Sequence, residues 1–193
     1  MIIWVNGAFG VGKSTLARVL AATIPHCMIM DPEVIGAYLH RLVPHSPTGD
    51  YQDLEFWRSL TTHTILELRR IYQATVVVPM TMVNPTWLDE IHGAFRKQGE
   101  SLLHVFLDAN ETTLRDRIDN HTTDAVDPTI DAGVTRWRLQ HLSRCLAARA
   151  AMPETTLWLD AGALGPAELA QAVMAAIDGE RQHDAGEMRC AAT

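Results

Sequence analysis

The stretch Ile2-Ile3-Trp4-Val5-Asn6-Gly7-Ala8-Phe9-Gly10-Val11-Gly12-Lys13-Ser14-Thr15 runs from a continuous apolar segment into a glycine-rich turn. Residues 7–14 match G-x-x-x-x-G-K-[ST] in full. With glycine at about 7% of ordinary sequence, a chance match in a chain this long is rarer than about one in a hundred. The context agrees. The apolar run reads as a buried strand, and the residues after Ser14 carry Leu16, Val19, Leu20 and Ile24 at helical spacing until Pro25. Strand, glycine-rich turn and helix in that order make a cradle for phosphate. Glycines let successive N–H groups turn inward, and the helix adds the positive end of its dipole. Lys13 is expected to reach the β- and γ-phosphates, Ser14 to ligate Mg²⁺, and Thr15 to donate near the α-phosphate.

Outward from this motif, the chain alternates strand and helix. Residues 75–80 and 102–107 are further apolar runs without polar alternation, and 27–30 and 156–159 are shorter ones. Such runs suit strands covered on both faces. Between them lie helical patterns over 32–42, 53–72, 87–98 (with Thr86 as cap), 111–120 (with Asn110 as cap), 133–150 and 166–178. The expectation is an α/β fold with a mostly parallel five-stranded sheet. Two polar segments interrupt the pattern, 43–52 and 119–132, and both read as mobile loops of the kind that form lids. The expected organisation is one domain over 1–178 with a lid at about 119–133, followed by a flexible tail over 179–193.

Composition bounds the function. The chain has 193 residues, 47% hydrophobic and 20% charged, enough for one well-packed core. Its 23 acidic and 16 basic residues give a net charge of −7, which argues against a general nucleic-acid binder. No run reaches the roughly 18 apolar residues of a membrane span, and no basic leader precedes the first strand. The three cysteines are far apart, so a reducing cytoplasm is the expected location. The nine histidines show no metal spacing.

The second set of candidate residues lies beyond the cradle. Asp31 follows the second strand, where ligands of parallel sheets bind. It can orient water on Mg²⁺, accept a proton from an acceptor hydroxyl, or simply cap the helix that Asp31-Pro32-Glu33 begins. Glu33 is a weaker candidate of the same kind. The third strand ends Val78-Pro79-Met80-Thr81, with none of the aspartate that many nucleotide hydrolases carry there. Thr81 can substitute as a polar contact. Arg115, Arg117, Arg136 and Arg138 flank the second polar segment, and residues two apart on a helix face different ways, so at most one of each pair is expected to point at the nucleotide. Arg41, Arg58 and Arg69 are candidates for an acceptor site, with Arg58 included among the substrate residues. Trp57 and Trp87 are candidates for stacking on a planar ligand.

Three segments together resemble the tunicamycin-resistance protein family, small P-loop proteins of the nucleoside- and shikimate-kinase type. They are the opening run through Lys13, Asp31-Pro32-Glu33 with Ile35-Gly36, and Val77-Val78-Pro79-Met80-Thr81. The resemblance covers Met1 to about Asp178. It implies a P-loop nucleoside-kinase-like three-layer fold, a sheet in the order 2-3-1-4-5, and a lid insertion after the fourth strand. It implies ATP bound through Gly7 to Ser14, with Asp31 facing a small-molecule acceptor. Leu114-Arg115-Asp116-Arg117-Ile118 is similar to the base of an adenylate-kinase lid, which makes Arg117 the residue that stacks on adenine. The chain departs from that lid at Asn120-His121, where those kinases carry a further arginine. Asp160-Ala161-Gly162 is similar to their adenine-contacting turn, bringing in Gly162. The function so implied is ATP-dependent phosphoryl transfer to tunicamycin or a similar nucleoside-like antibiotic. The alternatives are capture of the drug without chemistry, or a housekeeping nucleotide or metabolite kinase.

Overall fold

The computed structural model describes residues 1–120 and 128–190. Five strands, β1 (Ile2–Gly7), β2 (Cys27–Ile29), β3 (Thr75–Pro79), β4 (Leu102–Asp108) and β5 (Leu157–Asp160), form one sheet. Helices α1 (Lys13–Thr23), α2 (Pro32–Leu39), α3 (Glu55–Tyr72), α4 (Pro85–Lys97), α5 (Glu111–Asp119), α6 (Pro128–Ala147) and α7 (Pro166–Cys190) connect and cover it. The sheet order is β2-β3-β1-β4-β5 and every pairing is parallel. This is the order that the resemblance implies. β1 is central, with Ile2 opposite Val76 on one side and Leu102 on the other.

The unbroken apolar runs are explained by burial on both faces. Successive side chains of a strand point to opposite sides. Ile3 and Val5 of β1 pack with Leu16, Leu20, Leu114 and Val173, under α1, α5 and α7. Ile2 and Trp4 pack with Trp57, Ile65, Leu88 and Phe95, under α3 and α4. The result is three layers with helices on both faces of the sheet.

Several boundaries differ from the sequence reading, each for a local reason. α4 starts at Pro85, and its cap is Asn84, whose side chain accepts from the N–H groups of Thr86 and Trp87. Thr86 is therefore inside the helix. α6 starts at Pro128, a residue that suits the first helical position, instead of 133. α7 continues through Glu180 and Arg181 to Cys190, past Gly179 and Gly186, with no proline after Pro166 to stop it. The 43–52 segment is bonded to itself: Ser46 and Asp50 are buried, and the Ser46 hydroxyl donates to the Asp50 carbonyl at 2.8 Å. Of the expected lid, residues 121–127 lie outside the described residues. No described helix is long and apolar enough to cross a membrane.

Candidate functional site

The turn between β1 and α1 requires its glycines. Gly7 has φ +134°, and a Cβ there would sit 2.5 Å from the Leu107 carbonyl oxygen of β4. Gly12 precedes α1 with φ 107° in the left-handed region, and no side chain caps the helix. The first N–H groups of α1 are thus available to an anion. Asn6 fixes the base of the turn. Its Oδ1 accepts from the N–H of Gly7 (2.8 Å) and of Met82 (3.0 Å), and its Nδ2 donates to the Met82 carbonyl (2.7 Å). The Thr81 hydroxyl donates to the Gly7 carbonyl at 2.9 Å. The end of β1 and the segment after β3 are therefore one unit.

Lys13 Nζ donates to the carbonyls of Gly7 (3.1 Å) and Ala8 (2.8 Å), with its charge 5.6 Å from the Phe9 ring centre. Burial lowers its pKa to about 8, against the opposing pull of Glu33, Cys145 and Asp31. A cavity of about 600 Å³ opens from the turn, lined by residues 9–15 together with Asp31, Glu33, Arg117 and Arg138. Asp31 caps α2 with one oxygen, accepting from the Glu33 N–H at 2.9 Å. Its other oxygen has no bond among the described residues. The Glu33 pKa is raised, first by burial within this ring of groups and then by Asp31, while Lys13 and Arg138 work the other way. Arg117 spans from the Val11 carbonyl (3.4 Å) to the Ala161 carbonyl (3.0 Å), linking the turn to the loop after β5.

The structure sorts the candidate residues. Phe9 to Thr15, Asp31, Glu33 and Arg117 come together around the cavity. Gly7 and Ala8 lie beneath it and hold Lys13. Of the lid-flanking arginines, Arg138 lines the cavity and Arg136 is exposed outside it, a consequence of the helical phase of α6. Arg115 is likewise turned away, paired with Glu111 at 2.7 Å. Gly162 is not at the cavity wall; its N–H donates to Asp160 Oδ1, and its neighbours Ala161 and Leu164 form the wall. Thr81 is buried and its hydroxyl is committed to Gly7.

Arg58 corrects an expectation. It pairs with Glu90 at 2.7 Å, donates to the carbonyls of Gln52 and Asp53, and lies over the Trp87 ring at 5.1 Å. It ties α3 to α4 and lines no part of the cavity. Trp87 is accordingly the platform for Arg58. Trp57 is fully buried, its indole N–H donating to the Pro32 carbonyl at 3.0 Å. Arg69 pairs with Glu100 at 2.7 Å. Sequence reasoning missed Asn6. A polar residue closing an apolar strand just before the motif was the available signal for Asn6.

No curated protein matches the sequence. Solved structures match the fold over nearly the whole chain. The tunicamycin resistance protein of Deinococcus radiodurans superposes with a TM-score of 0.66 at 22% identity, covering 92% of this chain and 95% of that one. A sugar kinase from Janibacter gives 0.62 at 18% identity, over 92% and 94%. The Mycobacterium tuberculosis APS kinase in complex with AMPPNP and APS gives 0.61 at 16%, over 92% and 96%. These likenesses establish a P-loop kinase-like fold. The AAA-domain family model matches residues 2–132, more than half of the sequence, and the chain belongs to that family.

Proposed function

We propose that the protein transfers the γ-phosphate of ATP to a hydroxyl of a small molecule. The observation that carries this reading is the shared cavity of Lys13, Ser14 and Asp31, a phosphate cradle facing a carboxylate. β3 lies between β1 and β2, so the ends of β1 and β2 are two strand spacings apart, about 10 Å. That separation leaves room for a γ-phosphate and an acceptor oxygen between the cradle and Asp31. The acceptor oxygen forms the new bond to γ-phosphorus, the bond from that phosphorus to the bridging oxygen breaks, and the electron pair leaves on ADP. The acceptor's proton passes to the free oxygen of Asp31 and then to water. Lys13 and Arg138 offset the charge of the transferring group, and Arg117 lines the adenine end. Asn6 and Thr81 keep the cradle from relaxing as charge moves.

The residues fit Mg²⁺ as a partner of the nucleotide. The Ser14 hydroxyl lines the cavity without a bond among the described residues, and Asp31 has an oxygen to spare. Ser14 would hold the ion, with Asp31 acting through its water, and the ion would neutralise the β- and γ-phosphates. We further propose a cytoplasmic role in resistance to tunicamycin or a similar nucleoside-like antibiotic, with the lid at 119–133 closing over the nucleotide. Support comes from the quoted segments and from the fold shared with a tunicamycin resistance protein.

The test is mass spectrometry of tunicamycin, nucleosides and sugars after incubation with the protein and MgATP, with Lys13→Ala as control. A product heavier by one phosphate, absent in the control, is the expected result. Activity retained by Lys13→Ala would sink the assignment of the cradle. A second reading, capture of a ligand without chemistry, is favoured by the lack of a carboxylate at residues 79–81. It predicts stoichiometric binding and no acceptor-dependent ADP.

A further inference from the structure

The acceptor side of the cavity is acidic. Asp31 and Glu33 both line it from the start of α2, and the Glu33 carboxylate has no hydrogen-bond partner among the described residues. One turn further along α2, Gly36 lies against Tyr51: a Cβ there would be 2.5 Å from the ring. Residues three apart share a helix face, so the Tyr51 ring closes the same face that carries Glu33. Trp57 backs Tyr51 at 5.2 Å and His40 at 5.7 Å. Burial, and then the carboxylates of Glu33, Asp50 and Asp31, raise the phenol pKa, so the hydroxyl stays neutral and able to donate. No described residue bonds it.

Several of the nearby cations are engaged elsewhere. Arg58 is held by Glu90, two carbonyls and Trp87. Arg144 is paired with the buried Asp50 at 3.4 Å. Arg117 is at the other end of the sheet, on Ala161. Lys13, Arg18 and Arg138 remain at the cavity; Arg18 stands on α1 one turn past Ser14, and the nucleotide phosphates claim Lys13 and Arg138. An acceptor carboxylate or phosphate beside Asp31 and Glu33 would meet two carboxylates and the γ-phosphate.

We propose that Glu33 and Tyr51 determine acceptor specificity, selecting a neutral or cationic polyhydroxyl compound that presents a second hydroxyl or an ammonium group beside the reacting hydroxyl. This rests on the phosphotransfer reading. Glu33 accepts from that second group, Tyr51 donates to its oxygen or covers its apolar face, and Asp31 is left to the reacting hydroxyl.

The experiment compares acceptors of one skeleton and different charge, with the full-length protein and MgATP: glucose, glucosamine and glucuronate, alongside uridine and shikimate. Acceptor-dependent ADP and product mass are the readouts. The expected result is a kcat/KM at least tenfold higher for the neutral and cationic compounds than for the anionic ones. Glu33→Gln should shrink that ratio at least fivefold, through KM more than kcat. Tyr51→Phe, which keeps the ring on Gly36, should raise KM with Tm unchanged. Preference for glucuronate or shikimate, or a ratio unmoved by Glu33→Gln, overturns the proposal and leaves phosphotransfer standing. If nothing is turned over, the phosphotransfer reading fails, and calorimetric binding of the same compounds with AMPPNP decides the charge question. Tighter binding of the anionic members, or binding of none, then overturns it.

Discussion

Lys13 is charged at neutral pH but held close to its titration. Burial brings its pKa from 10.5 down to about 8, and only two backbone carbonyls receive its protons. A folded-state pKa below the unfolded value means the folded chain binds fewer protons between pH 8 and 10.5, so this group makes stability rise with pH across that window. Phosphate oxygens push the other way, since an adjacent anion favours the ammonium form. MgATP binding at pH 8 should therefore draw in about half a proton, and at pH 6.5 almost none. Titration calorimetry in two buffers of different ionisation enthalpy reads this directly. Zero uptake at pH 8 would mean that Lys13 is fully charged before nucleotide arrives. Lys13 was legible in the sequence because its role depends on neighbours within seven positions. Arg58 was not, because its partner Glu90 is thirty-two positions away and meets it only after α3 and α4 have packed.

At the scale of elements, one residue at the start of α2 both caps the helix and lines the cavity. Asp31 caps the helix, with Pro32 at its first position and Glu33 in its first turn. Asparagine caps about as well as aspartate, whereas alanine costs about 1 kcal/mol. Asp31→Asn should thus keep the thermal stability of the parent and lower kcat strongly, with ATP affinity little changed. Asp31→Ala should lose stability as well as kcat. A paired measurement of Tm and initial rate separates the roles, and an unchanged kcat in Asp31→Asn would leave Asp31 as a cap alone. The central strands β1, β3 and β4 were legible because burial on both faces leaves a continuous apolar run that no surface element shares. The site was legible only where it hung on short local patterns, the glycine turn and Asp-Pro-Glu. Which arginine of α6 faces the cavity was not, since the 136/138 choice is set by how the helix rolls against α5 and the turn. Tyr51 was hidden for a similar reason: it sits in a polar loop and is covered only because Gly36 offers no side chain to keep it away.

For the molecule as a whole, the cradle depends on a polar cluster inside the sheet layer. Two backbone N–H groups fix Asn6 Oδ1, so Asn6 Nδ2 must face both the Met82 carbonyl and His104 Nε2, the latter at 3.3 Å. His104 then carries its proton on Nδ1 and donates it to the Thr156 hydroxyl at 2.9 Å. His92 of α4 meets the His104 ring edge-on at 5.2 Å and the Trp4 ring at 5.3 Å. Burial lowers the His104 pKa to about 4, and burial followed by the His104 and Arg96 charges lowers His92 to about 3. Both rings are neutral in the folded protein and take up protons on unfolding below pH 6.5. The unfolded chain then binds more protons, so stability falls as pH drops from 6.5 toward 4. At pH 5 each ring contributes a loss of roughly 2 kcal/mol. His92→Phe fills the same apolar pocket with a ring that cannot titrate. Denaturant unfolding at pH 7 and pH 5 should show a loss about 2 kcal/mol smaller in His92→Phe than in the parent. Because both rings stay neutral in the folded protein down to about pH 4, the nucleotide affinity of the folded protein should not follow this loss of stability, in the parent or in the variant. Equal losses of stability in both proteins would assign the acid sensitivity to carboxylates elsewhere.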